Sequence, residues 1–183
     1  MSKLILASAS PRRRELLAQA GYAFEVVPAH IDETRHAGED PSEYVQRLAL
    51  EKAQAIHAQH PDAIVLGADT TVVLNGEVLN KPQSVEDAAR MLRALSNNTH
   101  QVHTGIAVVA RDVECTHVET TDVFFRTISE EELATYLATG DSLDKAGAYG
   151  IQGYAARWIP RIEGDYFNVM GLPVAATVRL LAM

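Results

Sequence analysis

The spacing of hydrophobic and polar positions changes along the chain between the alternation of a strand and the longer period of a helix. In the first half this pattern predicts a buried strand over residues 3–7, a helix ending near Gly21, a strand over 24–27, a helix over 41–59 and a strand over 64–66. Strands over 70–74 and 77–79 flank Asn75-Gly76, a pair that accepts positive φ and therefore favours a hairpin turn.

The second half continues the mixture of strands and helices. The pattern predicts a helix over 85–95, a long hairpin of strands 102–110 and 114–126, a helix over 130–139, a glycine-rich loop over 143–153, a pair of strands near 157–170 and a helix from Pro173 onward. Because some strands alternate and others are continuously apolar, we expect an α/β fold with a mixed sheet and flanking helices.

The composition is that of an ordinary globular protein, with 183 residues, 47% of them hydrophobic and 22% charged. This length predicts one domain over residues 1–183, which can fold as two lobes. The apolar run within residues 1–9 is too short for a signal peptide, and no apolar stretch reaches the roughly 18 residues of a membrane span. We therefore expect neither export nor a membrane partner.

The charge balance and the cysteine count narrow the function classes. A net charge of −8 argues against general nucleic-acid binding, which needs a basic face. The single cysteine, Cys115, allows no internal disulfide and no cysteine-rich zinc site, which is typical of a reducing compartment. We expect a cytoplasmic protein without a nucleic-acid partner.

Three adjacent arginines, Arg12 to Arg14, follow a serine and a proline at the start of the first predicted helix. The unpaired amides and the helix dipole already make this end positive, so a cation there costs about 0.3 to 1 kcal/mol. Three other capped helices, starting at 40, 84 and 129, carry acidic first turns instead. The exception predicts a site for several phosphates. The alternative is a solvated basic stretch.

Asp69 follows the apolar run 64–68, which places its carboxylate at or beside the end of a predicted core strand. A carboxylate there can bind a divalent metal or accept a proton from water, and both roles suit phosphoanhydride hydrolysis. Asp32 or Glu33, in the loop after the second strand, can complete a magnesium site with Asp69. The alternatives are an aspartate that caps a turn and a solvated acidic pair.

Two lysines and one glutamine add candidate chemistry. Lys52, on the second helix, and Lys81, after the first hairpin, can offset phosphate charge, although surface lysines are common. Gln152 lies in the glycine-rich loop, and its amide both donates and accepts, which suits recognition of a base edge. The phosphate-loop and Gly-x-Gly-x-x-Gly motifs are absent, which disfavours kinases, GTPases and dinucleotide dehydrogenases.

Five ordered segments together resemble the Maf family over nearly the full length of the chain. They are Ser8-Ala9-Ser10-Pro11-Arg12-Arg13, Gly67-Ala68-Asp69-Thr70, Asn80-Lys81-Pro82, the loop from Asp144 to Gly153 and Asn168-Val169-Met170-Gly171-Leu172-Pro173. The resemblance implies a metal-dependent nucleoside triphosphate pyrophosphatase, usually dimeric, that releases a nucleoside monophosphate and diphosphate. It also implies a twisted mixed sheet in two lobes around a central cleft, similar in shape to inosine triphosphate pyrophosphatases.

The resemblance also implies roles for the matching residues. Asp69 matches the family's proton acceptor. The positions associated with base choice are matched by Arg12, Thr70 and Gln152. Further cleft positions are matched by Ser8, Arg13, Glu33, Lys52 and Lys81. On this basis Arg13 and the two lysines stabilise phosphate charge, Glu33 and Asp69 hold Mg²⁺ or Mn²⁺, and Asp69 is either the base or a metal ligand.

The residues at the base-choice positions resemble the branch of the family that acts on dTTP and UTP. Normal or modified pyrimidine triphosphates are therefore the expected substrates. Two alternatives stay open, namely a 7-methyl-GTP pyrophosphatase and a nucleotide-sensing regulator of cell division that binds the triphosphate without turnover.

Overall fold

The computed structural model describes residues 3–183, which form strands and helices in mixed order. The strands are β1 (Leu4–Leu6), β2 (Glu25–Val26), β3 (Ile64–Leu74), β4 (Glu77–Leu79), β5 (Thr99–Ala110), β6 (Val113–Phe124) and β7 (Arg161–Glu163). The helices are α1 (Pro11–Gln19), α2 (Pro41–His57), α3 (Val85–Leu95), α4 (Glu130–Leu137), α5 (Tyr166–Met170) and α6 (Val174–Leu181). Two short 3₁₀ helices, Ala146–Ala148 and Tyr154–Trp158, lie between α4 and β7 in the chain.

The strands form a mixed sheet in the order β2-β1-β3-β5-β6-β7, and β4 pairs with β3 off this path. β1 pairs in parallel with β2 and β3, whereas β4 and β7 pair antiparallel with β3 and β6. The predicted α/β class with a mixed sheet and flanking helices is thus confirmed. No helix within residues 3–183 combines the length and the apolar character needed to cross a membrane.

The chain divides into two compact units. Unit 1 contains the described residues up to Thr70 together with Thr104–Glu119 and Gly171–Met183. Unit 2 contains Thr71–His103 and Thr120–Met170.

Helix α2 packs closely on the sheet in unit 1. Its Ala49, Ala53 and Ile56 are buried against apolar side chains of β1, β3 and β5. A Cβ added at Gly67 of β3 would lie 2.1 Å from the Ala49 carbonyl oxygen, and one at Gly105 of β5 would lie 2.3 Å from that of Val45. Glycine at these two positions therefore lets the helix backbone rest directly on the strands.

The core of unit 2 is rich in aromatic side chains. Trp158 and Tyr136 meet edge to face with ring centroids 5.3 Å apart, and Phe125 packs in the same way on Tyr149 at 4.8 Å. Apolar residues of α3, such as Leu92, complete this cluster. Such pairs add about 0.5 to 1.5 kcal/mol each beyond the area they bury.

The predicted local signals appear in the structure. Ser10 caps α1, and Ser129 forms a reciprocal capping box with Glu132 at the start of α4. Asn75 and Gly76 both adopt positive φ in the turn between β3 and β4. The predicted hairpin of 102–110 and 114–126 is formed by β5 and β6, which are neighbours in the sheet.

Two predictions about strands are wrong. The predicted strands 64–66 and 70–74 are one continuous strand, β3, which pairs with β1 as far as Leu66 and with β4 from Val72 onward. Of the pair predicted near 157–170, only β7 forms. Asp165 Oδ1 accepts from the amides of Phe167 at 2.7 Å and Asn168 at 3.2 Å, which favours the start of α5 instead of a second strand.

Candidate active site

The start of α1 presents hydrogen-bond donors rather than acidic side chains. Ser10 Oγ accepts from the Arg13 amide, and Pro11 occupies the first helical position. Ser8, which is buried in the connection between β1 and α1, accepts from the Ser10 amide through its hydroxyl. The start of α1 thus combines the positive end of the helix dipole with arginine side chains, as the sequence predicts.

The Arg13 guanidinium is fixed by three oxygen atoms from three separate parts of the chain. Its Nε donates to the Gly171 carbonyl at 2.7 Å, Nη1 to Ser8 Oγ at 3.1 Å and Nη2 to Thr70 Oγ1 at 2.9 Å. Burial lowers the pKa of Arg13, and the charge of Asp69 opposes this shift. All three acceptors are neutral, so the guanidinium is held in place without direct neutralisation.

Thr70 is bonded on its other side to Thr104. The two hydroxyl oxygens are 2.9 Å apart and join neighbouring strands, since Thr70 lies on β3 and Thr104 on β5. Thr104 is fully buried. A chain of contacts therefore runs from the interior of the sheet to the arginine.

Lys52 bridges two carboxylates. Its Nζ lies 2.7 Å from Asp69 Oδ1 and 2.7 Å from Glu33 Oε1. Lys52 and Asp69 are buried, whereas the Glu33 side chain is 55% exposed. Burial raises the pKa of Asp69, and the nearby charges of Lys52 and Arg13 counteract part of this rise.

The close approach of α2 and β3 explains why Lys52 reaches Asp69. Gly67 lies two residues before Asp69, and its missing side chain lets the α2 backbone approach at Ala49 and Ala53. Lys52 lies on α2 between those two alanines in sequence. The packing of α2 on β3 at Gly67 thus determines where Lys52 lies relative to Asp69.

The loop that carries Glu33 is tied to α2. The Tyr44 hydroxyl donates to the Glu33 carbonyl at 2.8 Å. Arg47 donates to both carboxylate oxygens of Glu39, at 2.6 and 2.9 Å, and to the Thr34 carbonyl at 3.1 Å. These bonds lower the pKa of Glu39 to about 2 and hold the loop on the helix.

Glu33 and Asp69 are suitable ligands for a hard divalent cation. Both carboxylates contact one ammonium group, so they lie around a common point that favours positive charge. Magnesium commonly takes only one or two protein carboxylates and completes its shell with water and phosphate oxygens. Within residues 3–183 no group of three or more His, Cys, Asp or Glu side chains is arranged for a metal. Asp32 Oδ1 accepts from the Thr34 amide of its own loop at 2.9 Å.

The structure brings six of the predicted site residues together in unit 1: Ser8, Arg13, Glu33, Lys52, Asp69 and Thr70. Arg12 is half-buried in the first turn of α1 in the same unit. Lys81 and Gln152 are exposed and belong to unit 2. There the Gly147 amide donates to the Asn80 carbonyl at 3.3 Å, which joins the loop of Lys81 to the glycine-rich loop.

Asp69 lies within β3 and not at the end of a strand, which corrects the prediction from its sequence context. Parallel pairing of β1 with β3 nevertheless ends at Leu66, three residues earlier. Sequence reasoning missed Thr104, the Gly171 carbonyl and Tyr44. Gly171 falls in one of the quoted segments, but the residue type does not indicate whether its backbone carbonyl will accept a hydrogen bond from Arg13.

The fold and site define a mixed α/β protein in which an anchored arginine on α1 and a buried lysine on α2 contact two adjacent residues of one strand, β3. Residues 3–183 match the model of the Maf-like protein family, and the chain belongs to that family.

Two similar proteins align with almost the whole chain. A dTTP/UTP pyrophosphatase from Koribacter versatilis is 55% identical over 178 residues, which is 97% of this chain and 92% of the relative. A dTTP/UTP pyrophosphatase from Vibrio cholerae is 51% identical over 182 residues, or 99% of this chain and 97% of the relative. The solved structure of a HAM1 protein from Coxiella burnetii aligns with a TM-score of 0.49 and 16% identity, covering 85% of this chain and 91% of that chain.

Proposed function

We propose that this protein is a nucleoside triphosphate pyrophosphatase that hydrolyses dTTP and UTP to the nucleoside monophosphate and diphosphate. The observation that carries the proposal is the juxtaposition on β3 of Asp69, a buried carboxylate, with Thr70, which accepts from Arg13. The names of relatives at 51 to 55% identity support the same reaction and the same bases.

The start of α1 and the Arg13 guanidinium bind the phosphates. The guanidinium is already oriented by three hydrogen bonds, so little conformational entropy is lost when it meets an anion. Lys52 and Lys81 supply further positive charge for the phosphates, and Ser8 holds Nη1 of the arginine. Fixed donors of this kind stabilise the negative charge of the phosphates.

Asp69 orients the attacking water and accepts its proton. Lys52 donates to Oδ1, so we assign this task to Oδ2. Burial raises the pKa of Asp69, which makes its carboxylate a stronger base than an exposed aspartate. The water oxygen adds to phosphorus, the bond between the α and β phosphates breaks, and diphosphate leaves.

Glu33 and Asp69 are the residues that would hold a divalent cation, Mg²⁺ or Mn²⁺, in this site. When bound, such an ion neutralises phosphate charge and polarises the phosphoryl oxygens. The support is the pair of carboxylates that share the Lys52 ammonium.

Base choice falls to Arg12 and Gln152, with Thr70 at the third position that the family resemblance points to. A thymine or uracil ring offers alternating carbonyl acceptors and one N–H donor, and an amide such as that of Gln152 can complement both. We also propose that the chain works as one domain of two lobes, as a homodimer, in the cytoplasm.

The test is product analysis by ion-exchange chromatography after incubation with dTTP, UTP, GTP and 7-methyl-GTP separately, each with Mg²⁺ or Mn²⁺. Monophosphate and diphosphate from dTTP and UTP are the expected result. The same products from 7-methyl-GTP alone would replace the base assignment, and tight binding without turnover would favour a nucleotide sensor.

A further inference from the structure

The hydroxyl of Thr70 is engaged by two protein groups. It accepts from Arg13 Nη2 at 2.9 Å and lies 2.9 Å from Thr104 Oγ1. A threonine hydroxyl has one proton to donate and two lone pairs to accept with. These two contacts therefore direct the Thr70 oxygen toward the arginine and into the sheet.

We propose that Thr104 is a positioning residue that fixes the Arg13 guanidinium, and with it the expected phosphate contact, through the Thr70 hydroxyl. The inference rests on the proposed function, because the arginine is the group expected to hold the triphosphate. Thr104 does not itself touch the substrate in this role.

The geometry of β-branched side chains explains how Thr104 acts. Thr70 can exchange its hydroxyl and methyl positions by rotating about χ1, which would turn the methyl group toward Arg13 Nη2. The Thr104 hydroxyl, fully buried on the neighbouring strand, favours the rotamer that keeps the Thr70 oxygen between the two partners. The guanidinium then keeps an acceptor for Nη2.

The remaining contacts of Arg13 make this third acceptor important. Ser8 lies in the connection before α1 and Gly171 immediately after α5, so each fixes one edge of the guanidinium from a different direction. Without the hydrogen bond from Nη2 to Thr70, two hydrogen bonds remain and the guanidinium plane can rotate. A planar donor group that turns loses bidentate contact with phosphate.

The role predicts a particular kinetic signature. Phosphates are common to all nucleoside triphosphates, so loosening Arg13 weakens binding of each substrate by the same factor. The ratio of kcat/KM for dTTP to that for GTP then stays constant. A base-reading role for Thr104 predicts the opposite, namely a change in that ratio.

The experiment compares Thr104→Val, Thr104→Ser, Thr70→Val and the double variant with the wild-type protein. Steady-state kinetics with dTTP and GTP give KM and kcat, and titration calorimetry with inorganic tripolyphosphate gives binding without any base. We expect Thr104→Val to raise KM for both substrates and the Kd for tripolyphosphate about three- to tenfold, with kcat within about twofold. Thr104→Ser restores the wild-type values, and Thr104→Val adds little to Thr70→Val because the two act on one contact.

Thr121→Val is the matched control, since Thr121 is also fully buried and its hydroxyl donates to the Asp165 carbonyl at 2.9 Å. It should leave KM and Kd unchanged. If Thr104→Val is too unstable to assay, Thr70→Val decides the question, because unchanged tripolyphosphate binding there overturns the inference. A change of more than about threefold in the dTTP to GTP ratio in Thr104→Val also overturns it. If the wild-type protein hydrolyses neither nucleotide, the proposed function fails, while weakened tripolyphosphate binding in Thr104→Val still supports the positioning role.

Discussion

Lys52 Nζ lies 2.7 Å from Asp69 Oδ1, and the two side chains are only 9% and 13% exposed. An ion pair of this kind is costly to desolvate, so it contributes little to stability by itself. The Lys52 charge opposes the rise in the pKa of Asp69 that burial causes. The Lys52–Asp69 pair is therefore better explained by a role in the reaction than by a contribution to folding stability.

Replacing Asp69 by Asn should lower kcat for dTTP by about 10²- to 10⁴-fold, the usual contribution of a positioned general base. The amide keeps the size of the side chain but cannot accept the proton of water. The control is Asp62→Asn, because Asp62 is an exposed aspartate paired with Arg111. The measurement is initial rate by phosphate-product chromatography, with circular dichroism to show that the fold is kept. Activity above about one tenth of the wild-type rate would remove Asp69 from the role of base.

Replacing Arg13 by Lys should lower kcat/KM for dTTP by roughly 30-fold, mainly through KM. Lysine keeps the positive charge but cannot donate to Ser8, Thr70 and Gly171 at once, so the charge loses its fixed position. Arg14→Lys, which alters an exposed arginine on the same helix, should stay within about twofold of wild type. Equal losses in the two variants would indicate that the basic stretch acts only as diffuse charge.

Replacing Gln152 by Ala should reduce the preference for dTTP over GTP about tenfold, as expected when one hydrogen bond to the base edge is lost. The measurement is the ratio of kcat/KM for the two nucleotides. Gln59→Ala, at an exposed glutamine just after α2, serves as the control. An unchanged ratio in the Gln152 variant would end its assignment as the base reader.

Signals that act over a few residues were predictable from the sequence. Ser10 and Ser129 cap their helices, and Asn75-Gly76 turns the first hairpin, because each depends on backbone groups within three or four positions. Asp69 could be selected for the same reason, because a carboxylate directly after an apolar run is unusual for its local context. Lys52 could be selected only through the family resemblance, because surface lysines are common.

The arrangement of those residues could not be predicted from local patterns. The contact between Lys52 and Asp69 depends on how closely α2 rests on Gly67, which is a tertiary property. The bond between Thr70 and Thr104 spans 34 positions and exists only because β3 and β5 are neighbours in the sheet. Neither threonine differs in sequence context from an ordinary strand residue.

Replacing Gly67 by Ala should destabilise the protein and reduce activity together. The new Cβ would meet the Ala49 carbonyl at 2.1 Å, so α2 must move away from β3 and carry Lys52 with it. Overpacking of this kind costs about 1 to 3 kcal/mol, which corresponds to a fall in Tm of roughly 2 to 12 °C in a chain of this size. Gly153→Ala, whose Cβ would have its nearest contact at 3.8 Å, should leave Tm nearly unchanged. A normal Tm in Gly67→Ala would show that the helix can shift without cost.

Replacing Glu39 by Gln should remove a pH-dependent part of the stability. The hydrogen bonds from Arg47 lower the pKa of Glu39 from 4.5 to about 2 in the folded protein, so the folded state binds this proton less readily than the unfolded chain. The stabilisation is therefore complete above about pH 4.5 and is lost as pH falls toward 2. We expect Glu39→Gln to lower the free energy of unfolding by about 1 to 3 kcal/mol at pH 7.

Urea unfolding of wild type and Glu39→Gln at a series of pH values between 7 and 3 measures this effect, and the gap between the two proteins should narrow below pH 4.5. Glu51→Gln is the matched control, because Glu51 contacts the same Arg47 guanidinium at the longer distance of 3.3 Å and is 40% exposed. Its removal should cost less than about 0.5 kcal/mol, as is usual for an exposed pair spaced i,i+4 on a helix. A gap for Glu39→Gln that is independent of pH would show that Glu39 stabilises the loop through packing and not through its charge.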